Sequence, residues 1–240
     1  MKVRGRRECK ECGHRWSYYD TGDVACPACG SVVSVGVDEE RERHTDAPVS
    51  LDLTAHRNAL SDADDVSALG DDLQSDLRSY VRQRGFIHGG ALRDLDDAYL
   101  AARELLHAVD IASRARRASD DEQLYLLTLV GGADRGDRPD PDAVPASMRE
   151  ARGLGYAQAV DHYRSDLLTW LDDHPDPDAR RALGSLAEHV KRVEALQGDV
   201  APETAEGLVR VARAVGAALR GEGDLAAARE RLAELEDAEP

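Results

Sequence analysis

From residue 51 onward, apolar residues recur at alternating steps of three and four. Leu92, Leu95, Tyr99, Ala102, Leu106 and Val109 form one such seam, and Tyr156, Val160, Tyr163, Leu167 and Trp170 form another. Leu183, Leu186, Val190 and Val193 repeat the spacing, as do Leu225, Ala228, Leu232 and Leu235. Steps of three and four keep each set on one helix face, and faces of this width predict antiparallel bundle packing. Helix ends agree with the seams. Ser119 followed by Glu122 is a capping-box pattern before Leu124, and Pro145 and Pro202 suit first-turn positions. No repeat of 20 to 50 residues stands out.

Ahead of these seams the texture changes. Residues 1–37 are rich in Cys, Gly and aromatics and predict short strands around two tight turns. Residues 38–50 lack periodicity and predict a solvated linker. Gly131 to Val144 is too rich in Gly, Asp and Pro for regular structure. The expected order is therefore a β module at 1–37, a linker at 38–50, helices at 51–130, a loop at 131–144 and helices again at 145–240. His88-Gly89-Gly90 is expected as a break between helices.

Charge changes the picture in one place. The chain carries a net charge of -16, which would repel nucleic acid and anionic lipid. Of its 31 basic residues only Lys2, Lys10 and Lys191 are lysine, and Phe86 is the sole phenylalanine. That bias resembles the proteins of salt-accumulating halophilic archaea, whose hydrated acidic surfaces keep them soluble. At roughly 1 M salt the Debye length is about 3 Å, so such a surface says little about partners beyond contact range. Residues 1–19 run the other way: Lys2, Arg4, Arg6, Arg7, Lys10 and Arg15 face only Glu8 and Glu11. No apolar run is long enough for a signal peptide or a membrane span, so a cytoplasmic protein without membrane partners is expected.

The four cysteines are Cys9, Cys12, Cys26 and Cys29, spaced C-x2-C-x13-C-x2-C. A two-residue gap lets both sulfurs of a turn converge on one ion at about 2.3 Å, and two such turns complete a tetrahedron. Gly13 and Gly30 follow the pairs and permit the positive φ that folds each turn back. Disulfides are the competing use of four cysteines, and a reducing cytoplasm argues against them. A single structural Zn2+ is the expected cofactor; iron also suits four thiolates. Asp20-Thr21-Gly22-Asp23 is a turn signal, so Arg15–Tyr19 and Val24–Cys26 are expected as flanking strands. The expected fold class is a small β zinc ribbon with rubredoxin-like knuckles followed by an all-α, antiparallel helical bundle region.

Cys9-Lys10-Glu11-Cys12-Gly13 with Cys26-Pro27-Ala28-Cys29-Gly30 resembles the zinc ribbon of archaeal transcription initiation factor B (TFIIB-type). The same motifs resemble the rubredoxin-like module of rubrerythrins. Both resemblances cover about 35 residues. The first implies zinc on the four cysteines and a role with nucleic acid or RNA polymerase machinery. The second implies iron and electron transfer, and in its full form a di-iron bundle with two Glu-x-x-His pairs. Glu104 with His107 is one such pair, and no second exists.

No metalloprotease helix, phosphate-binding loop or spare cysteine nucleophile is present, so a non-enzymatic protein is expected. Candidate contact residues lie in the basic island: Arg4, Arg6, Arg7, Lys10 and Arg15, with Trp16 and Tyr18 expected on one strand face. They suit nucleic acid or a peptide; alternatively the aromatics form the small core over the metal. The helical region is expected to dock a protein partner. A pure interaction scaffold with a structural ribbon, and a rubredoxin-like iron carrier, are the alternatives.

Overall fold

A computed structural model describes residues 1–61, 70–114 and 118–237. Residues 62–69, 115–117 and 238–240, which belong to the expected helical regions, lie outside the described residues. The chain divides into two compact units, Met1–Val49 with Arg82–Arg93, and Ser50–Val81 with Asp94–Pro240.

In the first unit, β2 (Arg6–Cys9) lies between β3 (Arg15–Ser17) and β4 (Ser34–Gly36), antiparallel to both. Arg7 stands opposite Trp16 and Gly36, and Cys9 opposite Ser34. The two-residue period sets Arg7, Cys9 and Trp16 on one face and Arg6 and Glu8 on the other. Val24–Cys26 is not the expected strand; the paired strand comes later, at Ser34–Gly36. The reason is local, since Asp23 Oδ1 accepts from the Ala25 amide at 2.9 Å and turns the chain. Nor does β3 extend to Tyr19. Ser17 accepts from the Asp20 amide and caps a one-turn helix, α1 (Tyr18–Thr21), which Gly22 ends at φ 66°. Trp16 and Tyr18 therefore do not share a strand face.

Residues 38–50 are folded rather than a solvated linker. β5 (Glu42–Arg43) pairs with β1 (Lys2–Val3), Asp38 accepts from the Arg6 amide and Nε at 2.6 Å each, and His44 is buried. A second departure is that the helical region expected over 51–130 is interrupted. β6 (Ile87–His88) and β7 (Ala91–Leu92) form a hairpin whose turn, Gly89-Gly90, has φ of 56° and 85°. Positive φ at both turn residues is what a two-residue hairpin of type I′ requires. The Thr45 amide donates to Ile87 O at 2.9 Å and the Gly90 amide to Arg43 O at 2.8 Å. Arg84 pairs with Asp46 at 2.7 Å. These bonds tie the hairpin to the cysteine unit.

The second unit is helical. It comprises α2 (Thr54–Ser61), most of α3 (Asp71–Gln83), α4 (Asp97–Arg114), α5 (Asp120–Gly132), α6 (Arg149–Trp170), α7 (Pro177–Ala195), α8 (Pro202–Leu219) and α9 (Leu225–Asp237). α6 packs against α4, α7 and α8, and α9 against α8, so the helices on either side of residues 131–144 share one core. The seams are the buried faces: Tyr156, Val160, Tyr163 and Leu167 are inaccessible, as are Leu183 and Leu186. Tyr99, Ala102 and Val109 line the buried face of α4, whereas Leu92 lies in β7 and Leu95 precedes the helix. The capping box is made, with Ser119 N donating to Glu122 and Glu122 N to Ser119 Oγ. Pro202 opens α8, but Pro145 precedes a 3-10 turn, Ala146–Met148, before α6 begins. No described helix is long and apolar enough to cross a membrane.

Candidate metal centre

The two cysteine pairs have the same local backbone. The Cys9 amide donates to His14 O at 2.8 Å and the Gly13 amide to Cys9 O at 3.0 Å. In the second pair, the Cys26 amide donates to Ser31 O and the Gly30 amide to Cys26 O, both at 2.8 Å. Gly13 and Gly30 close these turns at φ 73° and 74°, where a side chain would be strained. Two like turns thus present four sulfurs to one point. Cys9 and Cys26 are buried with Trp16 in a small core, and Cys12 and Cys29 are exposed.

The sulfurs lie within 4.8 Å of one another, with Cys9–Cys29 and Cys12–Cys26 each at 3.6 Å. A tetrahedron of sulfurs about 2.3 Å from a central ion has edges of about 3.8 Å, and a disulfide would need about 2.05 Å. The donor set therefore fits a tetrathiolate ion. The Cys12 amide lies close to the Cys9 sulfur and, together with the Glu11 amide and the neighbouring thiols, lowers the Cys9 thiol to about 7 against the cost of burial. Among the described residues no other group of three or more Cys, His, Asp or Glu side chains converges in this way.

Glu104 and His107 do not form a metal site. Glu104 is inaccessible, and both its oxygens are taken: Oε1 accepts from Arg152 Nε at 2.7 Å and from the Tyr125 hydroxyl, and Oε2 from the Tyr156 hydroxyl at 3.0 Å. His107 turns instead to Gln158, at 3.1 Å.

The structure sorts the expected contact residues into four groups. Arg4, Arg7 and Tyr18 line one groove of about 360 Å³, joined there by Lys2 and Arg41. Arg6 and Arg15 are committed to carboxylates, with Arg6 Nε 2.6 Å from Asp38 and Arg15 2.6 Å from Glu8. The Arg6 amide, followed by its guanidinium, holds the Asp38 carboxyl below its usual range. Trp16 is buried beside the sulfurs and donates to Asp23 O at 3.1 Å, so it is core and not a contact surface. Lys10 is exposed in the first knuckle, outside the groove. Lys2 and Arg41 were not singled out as contacts from sequence. Arg41 lies in the stretch expected as a linker, and only its neighbour β5, paired to β1, brings it beside Arg4.

These features define a class: a unit of short strands whose four cysteines lie close enough to hold a metal ion, in one chain with a larger helical unit. The chain belongs to the family described as "Family of unknown function (DUF7117)", which matches residues 1–232. No curated protein and no solved structure matches it.

Proposed function

We propose that this chain is a non-enzymatic cytoplasmic protein whose N-terminal unit is a TFIIB-type zinc ribbon that recognises nucleic acid or the transcription machinery. The observation that carries the reading is the convergence of four protein thiolates within 4.8 Å. Such a set fills every position of a tetrahedral ion and leaves none for water or substrate, which is the pattern of a structural zinc site and not a catalytic one. Cys9, Cys12, Cys26 and Cys29 would hold the ion, and the ion would supply folding free energy. The cluster around the sulfurs, Cys9 and Cys26 with Trp16, is small enough to need that contribution.

Two surface features support recognition by this unit. It carries a cationic groove in a chain of net charge -16. Around β4 it also exposes Val32 (72%), Val33 (52%), Val35 (38%) and Val37 (39%), an apolar strip suited to a protein partner. The test is affinity capture from a lysate kept at high salt, with Val33→Asp/Val35→Asp as the comparison, and identification of bound protein and nucleic acid. Recovery of transcription components or nucleic acid by the wild type is expected; their absence from the captured material sinks the reading. Metal analysis separates the iron alternative. A colourless protein with one zinc per chain is expected, and a red protein with iron would make it a rubredoxin-like carrier.

A further inference from the structure

We infer that the groove lined by Lys2, Arg4, Arg7, Tyr18 and Arg41 is a binding site for single-stranded nucleic acid, its cations on successive phosphates and Tyr18 under a base. The inference rests on the reading of this unit as a recognition module and names its ligand class. No acidic residue is among the described residues that line the groove. That is exceptional in a chain with 47 acidic and 31 basic residues. A second groove of the unit, about 580 Å³, shows the contrast: Arg6 there pairs with Asp38, and Glu39, Glu40 and Glu42 share the lining.

The arrangement suits a strand better than a small anion. Lys2 lies in β1 and Arg4 follows that strand directly. Arg41 approaches from the segment leading into β5, which pairs with β1. Four cations, Lys2, Arg4, Arg7 and Arg41, therefore share one groove. Arg7 is held in place: its Nε and Nη2 donate to Ser34 Oγ at 3.0 and 2.8 Å, and Ser34 Oγ donates to Val24 O at 2.7 Å. Tyr18 is half-buried, with its ring edge-on to the buried His44 ring at 6.0 Å. A ring fixed on one side and open to the groove on the other is a stacking platform. Stacking persists in salt that screens phosphate contacts, which suits a chain of net charge -16.

The experiment is fluorescence anisotropy of a labelled 12-nucleotide oligothymidylate with the full chain, from 0.3 to 2 M KCl. Four phosphate contacts predict a slope of log affinity against log salt of about -2.8, at about -0.7 per contact on single strands. Arg4→Gln/Arg41→Gln should reduce the slope to about -1.4 by the same rule. Tyr18→Ala should weaken binding about tenfold at every salt, leaving the slope unchanged. Arg6→Gln, which removes the same charge from the other side of the sheet, should bind as wild type. Zinc content, measured on each variant, certifies that the unit is folded. Equal loss in Arg6→Gln, or no loss in the groove variants, would overturn the assignment while leaving nucleic-acid binding intact. Absence of oligonucleotide binding by the wild type also overturns it, but leaves capture of transcription proteins as a separate result. Duplex bound as tightly as single strand would remove the role of Tyr18 and with it the single-strand assignment.

Discussion

Arg152 Nε and Glu104 Oε1 stand 2.7 Å apart in the helical unit, and neither side chain is exposed to solvent. Burial opposes the charge on Arg152, yet Glu104, Tyr156 and Tyr125 more than offset it and hold its pKa above the ordinary value. One nitrogen, Nη1, finds no hydrogen-bond acceptor among the described residues and lies 3.8 Å from Glu206. A buried pair of this kind is costly to break and cheap to replace. Glu104→Gln should destabilise the protein by about 3–5 kcal/mol, because it strands a buried guanidinium. Glu104→Leu/Arg152→Met should cost less than that single change, although it leaves the buried Tyr125 and Tyr156 hydroxyls without the carboxylate they donate to. Denaturant unfolding followed by helical circular dichroism measures both, and a double variant as unstable as Glu104→Gln would refute the account.

Burial also sets the direction of acid sensitivity. His107 is lowered by burial first and then by Arg103, against the Gln158 hydrogen bond and Asp110. His44, in the cysteine unit, is lowered by burial and by His88 and Arg93, against Asp46. A histidine depressed below 6.5 binds its proton more tightly in the unfolded chain, so stability is full above 6.5 and falls as pH drops through the folded value. The denaturant midpoint should therefore decrease between pH 7.5 and 5.5. His107→Gln should flatten that decline in the helical signal, and an undiminished slope in the variant would exclude His107 as its source.

What could be read from the residues was the local part of the structure. Leu183, Leu186, Val190 and Val193 announce a buried face because the helix period is set within seven or eight residues, and all four are buried. Cys9 to Cys29 are legible for the same reason: each knuckle closes on itself through amides no more than five residues away. The unreadable parts depend on partners far along the chain. Asp38 is explained by Arg6, 32 residues earlier, and Thr45 by Ile87, 42 residues later. Neither segment has a period of its own, so 38–50 reads as solvated and His88-Gly89-Gly90 as a break between helices. Arg41 was hidden by the same ambiguity, and Glu104 looked like half of a metal motif until Tyr125, Arg152 and Tyr156 closed around it.

Removal of the ion should be visible through one tryptophan. Trp16 is packed with Cys9 and Cys26, whereas Trp170 lies in α6 of the helical unit. Apparent zinc affinities of such sites are about 10–16 kcal/mol, more than a core of three side chains contributes. A strong chelator should release one zinc per chain and change the Trp16 fluorescence, while most of the helical circular dichroism stays. In Trp16→Phe the fluorescence change should vanish and zinc release should remain. A chelated wild type with unaltered Trp16 emission would mean the fold does not depend on the metal.

The knuckle glycines permit a sharper test, because their role is conformational and not steric. A side chain built at Gly13 or Gly30 would meet nothing within 4 Å, yet both sit at φ near 73°. Alanine there pays about 1–2 kcal/mol for the left-handed backbone, which corresponds to a loss of about 5- to 30-fold in zinc affinity. Asparagine tolerates that region better than alanine, so Gly13→Asn should recover much of the loss although its side chain is larger. Competition with a chromophoric chelator gives the affinities. If affinity fell with side-chain size, Asn below Ala, the constraint would be crowding and the backbone argument would fail.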